Sequence, residues 1–144
     1  MDRRKRTQFW GEDENDDSLL IEILEGLKTA TVCKADEYTL AYGEFDDGDM
    51  QVGDLVDVYD LRGNPRALIR VTEVYPVKFG DIPEKLWRGE VCRDAEHFRE
   101  AHRHCWPEYD LTDDFEMMAT HFELVYAGPP DEYFAASRSP ESPS

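Results

Sequence analysis

Gly26-Leu27-Lys28-Thr29-Ala30-Thr31 follows an apolar segment, Ser18 to Glu25, in which Leu19, Leu20, Ile23, Leu24 and then Leu27 recur at helical spacing. Glycine alone takes the left-handed conformation at a helix end without steric cost, so Gly26 predicts the stop. The polar residues behind it are therefore placed and not spread over a solvated face. Lys28 and Thr31 lie three residues apart, and a tight turn brings their amine and hydroxyl to one side. A lysine that loses its charge by desolvation accepts a proton from a hydroxyl nucleophile, which makes the pair a candidate for covalent chemistry. The same spacing suits solvent-facing or capping residues, and that reading stays open.

Working outward toward the N-terminus, Asp17 or Ser18 caps the helix, and the acidic run Glu12 to Asp17 favours its positive end. Before it stand Gln8-Phe9-Trp10-Gly11 and a basic start, residues 1–7, read as disordered. Toward the C-terminus, Val32 and Cys33 continue as a short strand, Asp36 to Tyr42 reads as helix, and Gly43 to Gly53 as an exposed loop. Leu55 to Asp60 and Ala67 to Tyr75 form a hairpin around Gly63-Asn64-Pro65. The second strand runs on to Val77 past Pro76, which demands an edge or a bulge. Glu84 to Trp87 reads as one helical turn. Asp94 to Cys105 reads as an amphipathic helix with Phe98 and Ala101 inward, ended by Trp106-Pro107. Met117 to Tyr126 closes with an alternating strand, and residues 127–144 read as a disordered tail whose Tyr133 and Phe134 are a candidate docking element.

The 144 residues make one domain, and 40% hydrophobic with 12% aromatic residues is enough for a packed core. No apolar run is long enough for a membrane span and no secretory signal is present, so a cytoplasmic protein is expected. Cys33, Cys92 and Cys105 are odd in number and lack paired spacing, which excludes a disulfide framework. His97, His102 and His104 lie near two of them without the spacing of a known zinc site, so neither metal nor cofactor is expected. A net charge of -17 opposes nonspecific attachment to a phosphate backbone. Basic residues thicken between Arg62 and Arg103, either as a positive cleft or as solvated partners of nearby glutamates.

The order GLKTAT (26–31), VGDLVDVYD (52–60), ALIRVTEVYPVKF (67–79), FREAH (98–102) and FELVY (122–126) resembles the ASCH domain, over residues 8–126. The resemblance implies an α+β fold, a small, mostly antiparallel PUA-like β-barrel with flanking helices. It also implies a cleft beside the barrel for RNA or a nucleobase or nucleoside derivative. Some ASCH proteins remove the acyl group from N4-acylcytidine with a lysine and threonine of a Gly-x-Lys-x-x-Thr motif and a later glutamate. By position these are Lys28, Thr31 and Glu90, with Glu96 as the second choice for the glutamate. Thr31 would attack the amide, Lys28 would take its proton, and Glu90 would position the substrate or handle the leaving amine. Gly26, Tyr42, Tyr59, Arg70 and Trp87 are expected at the substrate, the aromatics as stacking surfaces. Cys33 stands where the family often has a basic residue, which weakens a phosphate contact there. Three readings follow: a nucleoside amidohydrolase, an RNA-binding module or ribonuclease using the same cleft, and an acidic protein-interaction domain.

Overall fold

The hairpin lies at the centre of the sheet, with β3 (Leu55–Tyr59) running back into β4 (Pro65–Lys78). Its turn is built by Asp60, whose carboxylate accepts from the Arg62 and Asn64 amides at 3.0 and 2.9 Å while Gly63 takes φ +88°. The computed structural model describes residues 4–9, 11–41 and 43–138, so Trp10 and Tyr42 lie outside the described residues. Around the hairpin stand β1 (Lys5–Gln8), β2 (Ala30–Lys34) and β5 (Glu116–Tyr126), in the order β1-β3-β4-β5-β2. β1 is parallel to β3 and every other pairing is antiparallel. Register shifts at Leu68/Ile69 and Val71/Glu73 bend the 14-residue β4, and the sheet curls into a half-barrel. Beyond Val71, β4 pairs with β5 alone, so Pro76 sits in a half-strand with one free edge and interrupts no second ladder.

Helices close the two faces. α1 (Ser18–Leu24) sets Leu20 and Ile23 on Val56, Val58, Ile69 and Phe122, one apolar cluster. α2 (Glu84–Gly89) and α3 (Ala95–Cys105) set Leu86 and Phe98 on Phe79, Met117 and Ala119, a second one. The Asp94 carboxylate caps α3 by accepting from the His97 amide at 2.7 Å.

Three expectations change. Residues 36–41 do not form a helix; a single 3-10 turn, Ala35–Glu37, is followed by irregular chain, because the aromatic stretch has no continuous apolar face to bury. The basic segment 4–8 is held in the fold: β1 pairs with β3, and Arg4 grips the buried Asp57 at 2.9 Å. The tail carries α4 (Pro130–Arg138), where Asp131 takes a second bond from Arg4 at 3.0 Å and Phe134 lies under its guanidinium at 4.5 Å. Composition conceals both segments because their partners are distant in sequence.

Candidate functional site

The site begins at the end of α1. Gly26 has φ +77°, its amide bonds Ile23 O at 3.0 Å, and the amides of Leu27 and Lys28 both bond Glu22 O, at 2.9 and 3.1 Å. This turn sends Lys28 inward until it is 3% exposed. Its Nζ donates to Ala30 O at 2.8 Å and to Glu90 Oε1 at 3.1 Å, and lies 5.6 Å from the centre of the Phe9 ring. A buried ammonium without such partners would be strongly unfavourable.

Glu90 comes from the far side, immediately after α2. Gly89 allows the approach: a Cβ there would stand 2.7 Å from the Ala30 Cβ, and its carbonyl accepts from the Thr29 amide at 2.8 Å. Val91 is then forced to φ +60°, a left-handed conformation that β-branched residues rarely adopt. The α2 end and the β2 start are thus locked together, with Lys28 and Glu90 facing across the join.

Strand alternation does the rest. Ala30 points into the second apolar cluster, so Thr31 turns to the other face, where it lines a cavity of about 360 Å³ with Lys28 and Glu90. No hydrogen bond joins the Thr31 hydroxyl to the Lys28 amine among the described residues. Thr120, opposite Thr31 in β5, lines the same wall. Phe9, Tyr38, Met50 and Trp106 supply the apolar walls, and the cavity touches both edge strands, β1 through Thr7 and Gln8 and β2 through Thr31 to Cys33. It therefore fills the open seam of the half-barrel.

Carboxylates dominate the polar lining: Glu37, Asp46 and Asp49 join Glu90, against one lysine already paired. Burial pushes the Asp46 carboxyl up to about 6, although the Gly48 amide opposes the shift. All three cysteines border the cavity half-buried. Burial pushes the Cys33 and Cys92 thiols up to about 11, so both are neutral and poorly nucleophilic near pH 7. Among the described residues no group of three or more His, Cys, Asp or Glu is arranged to hold a metal ion.

Several expected substrate contacts lie elsewhere. Gly26 is exposed, with nothing within 4 Å of where a Cβ would be, and acts through its conformation. Tyr59 stacks on Phe45 with centroids 4.6 Å apart, outside the cavity. Arg70 pairs with Glu123 at 2.9 Å on the outer surface, and Trp87 packs on the second apolar cluster under Arg88. Glu96 is exposed between Arg99 and Arg103, at 3.1 and 3.2 Å, which lower its carboxyl and keep it from the cavity. Tyr42 falls outside the described residues.

In their place stand Phe9, Tyr38, His102 and Trp106. A signal for two of them existed: Phe98, His102 and Trp106 recur every four residues, the spacing of one helix face. Most of the basic thickening is neutralised in place. Arg62 pairs with Asp17 and Asp60, Arg66 with Asp60, Lys78 with Asp114, Lys85 with Glu73, and Arg88 with Glu84.

Comparison with known proteins agrees with this architecture. No curated protein sequence matches the chain. The crystal structure of an ASCH domain from Lactobacillus crispatus JV V101 aligns with a TM-score of 0.63 at 25% identity, covering 82% of this chain and 77% of that one. A protein from Enterococcus faecalis V583 aligns with a TM-score of 0.64 at 21% identity, covering 87% and 82%. No helix among the described residues is long and apolar enough to cross a membrane. The family model described as the ASCH domain matches residues 5–126, and with the half-barrel and its seam cavity this chain belongs to the ASCH domain family.

Proposed function

We propose that this protein binds a nucleobase or nucleoside derivative in the seam cavity and hydrolyses an N4-acyl amide on it. The observation that carries the reading is the convergence of Lys28 from the turn after α1, Thr31 from β2 and Glu90 from the end of α2 on one cavity. A volume of about 360 Å³ lies at the lower end of small-molecule sites. The aromatic and apolar walls suit a base, and the carboxylate-rich lining suits hydroxyl and amino donors better than phosphates.

The proton transfers balance within these residues. Lys28 passes a proton across 3.1 Å to Glu90 and becomes the neutral amine. Thr31 Oγ1 attacks the acyl carbon and yields its proton to Lys28. The C–N bond breaks, its electron pair goes to the exocyclic nitrogen, and Glu90 protonates that nitrogen. Water then cleaves the Thr31 ester, with the same pair carrying the protons back.

An RNA polymer as ligand finds less support. The net charge is -17, and most of the basic residues between Arg62 and Arg103 are already paired with carboxylates. Tyr133 and Phe134, the aromatic residues of the interaction-domain reading, pack on Tyr126 and Arg4 of the same chain.

The test is release of cytidine from N4-acetylcytidine by the parent and by Lys28→Ala and Thr31→Ala, each first shown to be folded. Parent turnover reduced at least about 100-fold in both variants is expected. Full activity in Thr31→Ala would remove the nucleophile, and an inactive parent would remove the reaction.

A further inference from the structure

His102 lies on α3 with its ring stacked on Phe98, centroids 4.1 Å apart, and edge-on to Trp106 at 4.9 Å. Its Nδ1 is 2.8 Å from the Phe98 carbonyl oxygen. A carbonyl oxygen only accepts, so Nδ1 carries the proton and a neutral ring presents a bare lone pair at Nε2. That lone pair faces Glu90 Oε2 at 3.8 Å.

Oε2 is itself an anomaly. It is buried and has no hydrogen-bond partner, whereas Oε1 of the same carboxylate takes the bond from Lys28. Buried carboxylate oxygens are ordinarily satisfied, and an orphan forfeits its hydration without a hydrogen bond in return. Two acceptors face each other, which accounts for a separation well beyond a hydrogen bond. A proton on Oε2 removes the conflict, because Oε2–H then donates to Nε2.

Resting on the amidohydrolase reading, we propose that His102 is the positioning residue that makes Glu90 an acid: Lys28 delivers its proton to Oε1, a half-turn of the carboxyl brings the protonated oxygen to the His102 side, and the Nε2 lone pair receives the hydrogen bond from it. The group stabilised is the neutral form of Glu90, the form that must exist between attack by Thr31 and departure of the amine. His102 itself gains and loses no proton. When the exocyclic nitrogen takes the proton from Glu90, the carboxylate returns to Lys28 and the 3.8 Å gap reopens.

The role is tested with His102→Phe, which keeps a ring for the stack and removes the acceptor. With N4-acetylcytidine, kcat is expected to fall about 100-fold while KM stays within about twofold. Glu90→Gln should fall comparably, and the double variant no further, because the two act as one unit. A folded His102→Phe that keeps kcat within about threefold, or losses that multiply in the double variant, would overturn the role of His102 and leave the reaction standing. An inactive parent would overturn the reaction and the role together. Nitrogen NMR of the imidazole near pH 8 needs no activity: the Nδ1–H tautomer is expected, with an Nε2 resonance that moves in Glu90→Gln. An Nε2–H tautomer would overturn the geometry on which the inference stands.

Discussion

Asp46 illustrates what a single residue in the cavity wall does to the whole chain. Its carboxyl is raised from 3.8 to about 6 in the folded protein, chiefly by burial. Between those values the folded chain retains a proton that the unfolded chain has released, so raising the pH through this window weakens folding. Asp46→Asn should therefore melt about 2–4 °C higher than the parent near pH 7.5 and within a degree of it near pH 4. Equal melting temperatures near pH 7.5 would show that the carboxylate is comfortably solvated. At this scale the sequence is unevenly readable. Lys28 and Thr31 stand out because a glycine-terminated helix fixes where the next residues go. Glu90 is found through its place in an ordered series of motifs. Phe9, Tyr38 and Asp46 carry no local mark, since their approach to the cavity depends on β1 and on the segment 43–53, which the sequence presents as solvent-exposed. Tyr59 and Trp87 mislead for the opposite reason: an aromatic side chain near a site looks the same in sequence whether it faces ligand or core.

Among elements, the join between α2 and β2 is the most sensitive. Helix and strand meet with no room for a methyl group at Gly89, and Val91 holds an unfavourable conformation just beyond. Gly89→Ala should force the two apart, lowering stability by about 1–3 kcal/mol. It should lower kcat for N4-acetylcytidine by a larger factor than Val58→Ala, chosen as a variant of the first apolar cluster away from the join, at matched loss of melting temperature. Equal losses of kcat at equal stability would mean that the spacing of α2 from β2 does not govern the Lys28–Glu90 pair. The hairpin and α3 are readable because alternation, a turn signal and an N-cap are local features. β1 and α4 are hidden because each is held by residues far away in sequence, β1 by β3 and α4 through Arg4.

At the scale of the molecule, a half-barrel leaves edges that a closed barrel would not. The seam edge is occupied by the cavity and its walls. Another free backbone row belongs to the second half of β4, which pairs only with β5. Pro76 is exposed there, followed two residues later by the exposed Lys78. A proline offers no amide to an incoming strand, and a lysine resists being covered. Pro76→Val should restore a continuous donor row and produce concentration-dependent dimers or larger species in sedimentation velocity, with the parent unchanged over the same range. A monomeric Pro76→Val would show that side chains alone guard this row. The proline that at first looks like an imperfection in a long strand thus acts as a guard against aggregation, stopping one molecule's sheet from being extended by the next.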